Sequence, residues 1–194
     1  MKCIVYFDGA CEPKNPGGVG TYGYVIYIDN VKIREDYGIV CEPNPDCTNN
    51  VAEYTALIKA LEWLVSNGYP EMCSELIIHG DSQLVIKQIE GKYSVKSSRI
   101  LPLYEKVLEL LSNFHHVIPA WIRRDVNVEA DKLSKKAYEE YMENHPELVE
   151  KFRKYLATPK QIELLKAFKI EHHKYISRFE ASRILRKILK RMRR

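Results

Sequence analysis

A chain of 194 residues holds one domain of ordinary size with room for a small appendage. Hydrophobic residues make up 45% and charged residues 29%, which excludes a disordered chain, and no apolar run approaches the ~20 residues of a membrane span. The formal net charge of +4 is unevenly spread: residues 145–194 carry 15 Lys/Arg against 5 Asp/Glu, a net +10, which leaves −6 for residues 1–144.

The N-terminus has no signal-peptide h-region, so a cytoplasmic protein without a membrane partner is expected. Five cysteines, Cys3, Cys11, Cys41, Cys47 and Cys73, form no C-x-x-C, which argues against zinc. Their odd number argues against a fully paired extracellular framework. Cys41 and Cys47 flank a loop and could pair in a hyperthermophile, but buried thiols are the expectation.

Residues 2–8 read as a continuous apolar strand, the kind buried on both faces of a sheet, ending at Asp8 before a Gly/Pro/Asn loop. Strands over 20–28 and 31–40 flank Asp29-Asn30, a two-residue hairpin turn. A long helix over 49–66 ends before Asn67-Gly68. Leu76 to His79 is a short strand running through Gly80-Asp81-Ser82-Gln83 into another helix. A helix over 99–112, a fifth strand from His115 to Ile122 and a helix over 127–143 follow, with Pro146 marking the end of the last. The sum is an α/β fold, a mixed five-stranded sheet flanked by helices, in residues 1–144.

From 145 to 194 the composition shifts to a small all-α, basic module. Residues 147–156 extend a connecting helix. Thr158-Pro159-Lys160-Gln161 and Ser177-Arg178-Phe179-Glu180 read as capping boxes. Ile184, Leu185, Ile188, Leu189 and Met192 fall on one helical stripe. An acidic body with a basic tail suggests that the tail meets a polyanion, with a solvated helix face as the plainer reading.

Four acids stand out together more than singly. Asp8 alone could close a strand in an Asp-Gly turn, Asp81 could be an N-cap, and Asp131 could favour a helix dipole. Glu53 shares an apolar stripe with Leu57, Ala60 and Leu64, all within about 40° of it at 100° per residue, and a lone buried carboxylate costs several kcal/mol. If the strands ending in Asp8 and Asp81 are parallel neighbours, both carboxylates emerge at one sheet edge, where open α/β sheets bind ligands. Glu53 and Asp131 sit near the starts of helices that can pack over that edge. Four converging carboxylates repel unless divalent cations neutralise them. An oxygen-only ligand set points to Mg²⁺ or Mn²⁺, and two such ions roughly 3.5–4 Å apart suit phosphodiester hydrolysis.

With these motifs in order, the sequence resembles type 1 ribonuclease H. The matching stretches are Asp8-Gly9-Ala10 with Asn15-Pro16-Gly17-Gly18, then Thr48-Asn49-Asn50-Val51-Ala52-Glu53, then Asp81-Ser82-Gln83, then Ala130-Asp131. The resemblance spans residues 1–143 and implies a ribonuclease H-like fold. It also implies endonucleolytic cleavage of the RNA strand of RNA–DNA hybrids, with two Mg²⁺ or Mn²⁺ ions, leaving 5′-phosphate and 3′-hydroxyl ends. On it, Asp8, Glu53, Asp81 and Asp131 become the metal-binding catalytic acids. Asn15, Asn50 and Gln83 match residues that read 2′-hydroxyls, Asn49 stands with them in the substrate set, and Thr48 matches a DNA-phosphate pocket. Asn49-Asn50 could also merely initiate the helix.

Two departures matter. Many members carry a loop His before the last acid; here Ile122-Arg123-Arg124-Asp125-Val126-Asn127 has none. This is similar to the archaeal-like subset and places Arg124 near the site, as a permanent cation that cannot shuttle protons as His can. The basic helical protrusion of some bacterial members is also absent, since Gly91 to Arg99 passes almost directly into the next helix.

The tail lies outside this match. Its pattern is similar to a small helical module appended to various nucleic-acid enzymes, so contact with nucleic acid is expected of it, with a stabilising or oligomerising helical pair as the rival and a monomer as the expected state. Against a hybrid-cleaving enzyme stand a nuclease that also cuts double-stranded RNA and a non-catalytic nucleic-acid-binding module. The intact set of four acids opposes the last.

Overall fold

The apolar run that opens the chain becomes the centre of the sheet. In the computed structural model, which describes residues 1–192, β1 (Lys2–Glu12), β2 (Val19–Ile28) and β3 (Val31–Cys41) form an antiparallel meander. Asp29 and Asn30 close its second turn at φ 47° and 68°, the left-handed pair that a two-residue hairpin requires. β4 (Glu75–Gly80) pairs parallel with the free edge of β1, and β5 (Val117–Trp121) pairs parallel with β4. The resulting order, β3-β2-β1-β4-β5, is the mixed five-stranded sheet that the sequence pattern calls for.

Helices cover both faces. α1 (Asn49–Ser66) starts at Thr48, whose Oγ1 accepts from Val51 N at 3.3 Å, and lays Leu57, Leu61 and Leu64 onto Cys3, Val5 and Phe7 of β1. The short α2 (Tyr69–Met72) leads to β4; α3 (Gln83–Ile89) and α4 (Leu101–Leu111) complete that layer. Strand side chains alternate, so Asp8 belongs to the opposite face of β1, over which α5 (Val128–Asn144) packs.

Two glycines set how near the helices come. A Cβ on Gly9 would lie 2.2 Å from the Ala52 carbonyl carbon, so its absence lets α1 press its first turn, and Glu53, onto β1 beside Asp8. Gly23, the register partner of Asp8, does the same for α5: its Cβ would lie 2.6 Å from Ala130 O and from Ser134 N. Both close approaches flank Asp8.

The structure corrects the sequence reading at four points. β1 does not end at Asp8 but runs to Glu12. Pairing with β4 stops at Phe7–Gly80, while pairing with β2 continues to Glu12–Val19, so Asp8 is the first residue past the parallel edge. Of the cysteines expected as buried thiols, four pair, as Cys3–Cys73 and Cys41–Cys47, with Cα separations of 5.9 and 5.8 Å; the first joins β1 to the end of α2 just before β4, and the Pro-rich loop brings the second together. Only half of the second capping box forms: Ser177 Oγ accepts from Glu180 N at 3.1 Å, but the Glu180 carboxylate turns to Arg183 and Lys135. The apolar stripe of the last helix is buried at Leu185 but exposed at Leu189 and Met192, because the helix runs beyond the elements that cover its start.

After α5 come α6 (Pro146–Phe152), a 3₁₀ turn (Arg153–Tyr155), α7 (Pro159–Ala167) and α8 (Arg178–Met192). Thr158 and Gln161 make the full capping box at α7. Phe152 joins Val19, Tyr138 and Met142 in a second apolar cluster, which ties α6 to the body. Leu165, Ile176, Ala181 and Leu185 make a third between α7 and α8. Among the described residues, no helix is long and apolar enough to cross a membrane.

Candidate active site

The edge beyond Phe7 and Gly80 opens into a cavity of about 690 Å³ lined by Asp8, Glu53, Asp81, Arg124 and Trp121, with Asn15 and Asn49 on its rim. Each acid is held by a side chain from another element. Asp8, only 6% exposed, accepts a hydrogen bond from Ser134 Oγ on α5. Glu53 accepts from Ser82 Oγ at 2.6 Å, across the turn that follows β4. Asn127, buried at the start of α5, donates to Phe7 O at 2.8 Å and to Asp81 Oδ1 at 3.4 Å, joining the ends of β1 and β4. Trp121 Nε1 donates to Asp81 O at 3.1 Å.

The fourth acid faces another way. Asp131 accepts from Arg124 at 2.9 Å and from Lys135 at 2.7 Å, and lies in the wall of a neighbouring cavity of about 510 Å³. Arg124 lines both spaces, so it is the hinge between Asp131 and the other three acids.

The electrostatics follow from this placement. Burial, reinforced by Asp81 and Asp131, pushes the Asp8 carboxyl up to about 6. Burial pushes Glu53 to about 8, with Asp8 and Asp81 adding to the effect and the Ser82 hydrogen bond opposing it. Burial acts on Asp131 in the same sense, but Lys135 and Arg124 outweigh it and hold that carboxyl below its ordinary range. Arg124 is kept charged by Asp131 and Asp8 against the cost of its own burial.

The donor set fits a hard divalent cation in kind: four carboxylates, no thiol or imidazole, and two acids that cannot ionise comfortably without a nearby positive charge. Their spacing is open. Among the described residues, no three His, Cys, Asp or Glu side chains are grouped closely enough to hold a metal ion. Asp131 in addition has both carboxylate oxygens taken, by Arg124 and Lys135.

The substrate residues named from the sequence divide in two. Asn15, Thr48 and Asn50 line a cavity of about 230 Å³ together with Arg99, and Asn15 and Asn49 also border the acids. The asparagines are stitched to one another: Asn49 N donates to Asn15 Oδ1 at 3.0 Å, and Cys11 N donates to Asn49 Oδ1 at 2.6 Å. Gln83 stands apart, exposed on the first turn of α3. Sequence reasoning misses Ser134, Lys135, Ser82 and Trp121. Ser134 and Lys135 stand three and four residues after Asp131, the helical spacing at which side chains meet, and that spacing is the signal that could find them. It also misses the contribution of α8, since Ser177, Phe179, Glu180 and Arg183 line the same cavity as Asp8.

Residues 7–137 match the family model described as "Reverse transcriptase-like". The chain is 33% identical over 141 residues to a "Bifunctional protein" of Mycobacterium tuberculosis, an alignment covering 71% of this chain and 35% of that protein. It therefore spans about a third of the length of these mycobacterial relatives. A "Ribonuclease H" of Ehrlichia chaffeensis is 33% identical over 148 residues, covering 69% of this chain and 92% of the relative. Among solved structures, LC11-RNase H1 in complex with an RNA/DNA hybrid superposes with a TM-score of 0.65 at 30% identity, covering 73% of this chain and 99% of that one.

Proposed function

Because the chain belongs to the type 1 ribonuclease H family, we propose that it hydrolyses the RNA strand of RNA–DNA hybrids endonucleolytically, leaving 5′-phosphate and 3′-hydroxyl ends. The observation that carries this reading is the cavity itself: Asp8, Glu53 and Asp81 share it with Asn15, Asn49 and Arg124. Catalysis is assigned to residues 1–144, and contact with nucleic acid to the basic residues 145–194, whose described part is helical.

The family generally works with divalent metal ions; here Asp8, Glu53, Asp81 and Asp131 would hold two Mg²⁺ or Mn²⁺ ions. Such ions, when bound, lower the pKa of a water and stabilise the leaving oxygen. The side chains of the chain do the rest. Ser134 and Ser82 orient the carboxylates of Asp8 and Glu53, and Asn127 fixes Asp81 relative to β1. Arg124 stays cationic, so its role is to hold the scissile phosphate while Lys135 keeps Asp131 in place. Asn15, Asn50 and Gln83 meet the 2′-hydroxyls that distinguish RNA from DNA, Asn49 stands with them in the substrate set, and Thr48 lies by the DNA phosphate.

The test is an incubation of labelled hybrid, double-stranded RNA and double-stranded DNA, each with and without Mg²⁺. The expected result is cleavage confined to the RNA strand of the hybrid and dependent on Mg²⁺. Equal cleavage of double-stranded RNA would widen the substrate class, and equal cleavage of the DNA duplex would overturn the 2′-hydroxyl reading.

A further inference from the structure

The catalytic cavity has a wall that lies beyond the region matched by the family model. We propose that the first turn of α8 contacts the substrate: Phe179 packs on the RNA strand beside the scissile bond, and Arg183 pairs with one of its phosphates. This rests on the nuclease reading and adds to it two substrate-binding residues.

The placement is the first support. Phe179 and Arg183 line the cavity that holds Asp8, Glu53 and Asp81, although more than 90 residues separate them from those acids in sequence. The state of Phe179 is the second. Its side chain is 73% exposed, more than any other exposed large hydrophobic residue described, and it stands next to Glu180 at the start of a helix whose Ala181 and Leu185 are buried. An exposed aromatic ring at the mouth of an acid-lined cavity suits a partner with flat, weakly polar faces. The wide, shallow minor groove of an A-like duplex offers sugar faces of that kind, and aromatic side chains are common platforms for nucleotides.

Anchoring is the third. The Glu180 carboxylate lies 3.2 Å from Arg183 and 3.9 Å from Lys135, the lysine that also holds Asp131. Gln161 ties the turn to α7 by donating to Ser182 Oγ at 2.8 Å and to Arg178 O at 3.2 Å. The turn is thus registered against the fourth acid rather than laid loosely on the surface. One terminal nitrogen of Arg183 meets Glu180, which leaves further donors of its planar fork for a phosphate.

The test uses the full-length chain with Phe179→Ala, Arg183→Gln and, as a control in the last turn of α8, Lys190→Gln. Binding of a fluorescein-labelled RNA–DNA hybrid is read by anisotropy without divalent ions, and KM and kcat are read with Mg²⁺. Phe179→Ala should raise Kd and KM about tenfold with kcat little changed, the loss expected for one stacking interaction. Arg183→Gln should do the same and flatten the log–log salt dependence by roughly one phosphate's share. Lys190→Gln should shift both constants less. Because Phe179 is exposed, its loss should leave the melting temperature unchanged. If wild type binds and cuts the hybrid while Phe179→Ala matches it in Kd and KM, the proposed wall is wrong and the nuclease reading stands. A rise in kcat/KM for Phe179→Ala would make the turn an obstructing lid and overturn the proposal, as would a Lys190→Gln effect equal to that of Arg183→Gln. A wild type that neither binds nor cuts the hybrid would remove the nuclease reading and the wall together.

Discussion

The two walls of the acid-lined cavity are built on different physical principles. On the sheet side, main-chain register does the positioning: Asp8 sits one residue past the last β1–β4 pair, and Asp81 follows Gly80 directly. On the α8 side, side chains do it. The apolar cluster of α7 and α8 is separate from the cores of the body; the segment between those helices meets the body through Tyr175 on the second cluster and His173 on Tyr138, and the rest of the join is polar. Lys174 N donates to Glu139 at 2.8 Å, Lys174 Nζ lies 3.3 Å from Glu143, and Glu180 reaches Lys135. The exposed pair Lys174–Glu143 contributes little, and the half-buried Glu180–Lys135 pair must offset its own desolvation. The sheet wall should persist through any change short of unfolding, whereas the α8 wall hangs on a small join of a few side chains. Chemistry is assigned to the first wall, grip to the second.

The largest expected effect breaks the first wall. Asp8→Asn should lower turnover by more than about a hundredfold, because an amide oxygen is a poor substitute for a metal-binding carboxylate. Hybrid binding should largely survive. Without divalent ions the variant should melt no lower than wild type, since it removes a carboxyl that burial and its neighbours already push up to about 6. Turnover within tenfold of wild type would remove Asp8 from the chemistry. The same pair of proteins sharpens the metal assignment: Mg²⁺ should raise the melting temperature of wild type more than that of the variant, because binding to the native site alone stabilises it by mass action. Equal shifts would contradict a shared site.

A smaller effect removes the second wall. Cutting after Leu156 keeps Phe152 on Val19, Tyr138 and Met142 while deleting α7 and α8 with 12 of the basic residues. KM should rise about tenfold or more with kcat changing less. The log–log salt dependence should become shallower by roughly 0.9 for each phosphate that the shortened chain no longer neutralises, the value for duplex DNA. An unchanged slope with an altered solution mass would make these helices an assembly element instead.

The contrast between the walls also explains what can be read from the sequence. Acids in apolar surroundings are conspicuous: Asp8 interrupts a strand pattern and Glu53 a helical stripe, so both are legible in the order of residues alone. The β2–β3 pairing follows from the hairpin turn at Asp29-Asn30, whereas the order β3-β2-β1-β4-β5 is seen only in the fold. Side-chain traffic between distant elements leaves no such pattern. Ser177-x-x-Glu180 has the spacing of a capping box, yet Glu180 turns away because Lys135 and Arg183 offer it charge that the backbone of Ser177 cannot match. In the sequence Phe179 is only an inner residue of the Ser177–Glu180 capping pattern, and only the fold shows that its ring lines the cavity of the acids. The motif order groups Asp131 with the other acids, but Arg124 and Lys135 hold it to one side.

The smallest expected effect probes the join itself through Glu12, at the end of β1. Its carboxylate is buried 3.6 Å from His173 Nε2, and Glu180, Lys135, Arg124 and Asp131 surround it. Burial, with Glu180 adding to it, pushes the Glu12 carboxyl up to about 8, while burial and Lys135 push the His173 imidazole down to about 4. The two therefore meet as neutral groups at neutral pH rather than as an ion pair. From pH 4.5, the ordinary value for Glu, to about 8 the unfolded chain releases a proton that the folded chain keeps. Stability contributed at this position must then fall as pH rises through that window. Glu12→Gln removes this dependence, so the variant should match wild type near pH 4 and melt a few degrees higher at pH 7, with the gap widening up to about pH 8 and constant above it. The slope from His173, which raises stability with pH between about 4 and 6.5, is common to both proteins and cancels in the difference to first order. Melting curves at half-unit pH steps read the gap directly. A variant that melts lower than wild type at pH 7 would mean that Glu12 is ionised and paired with His173 or Lys135. The join would then be a buried salt bridge that is strongly destabilised when one partner is removed, and the α8 wall would be as firmly fixed as the sheet.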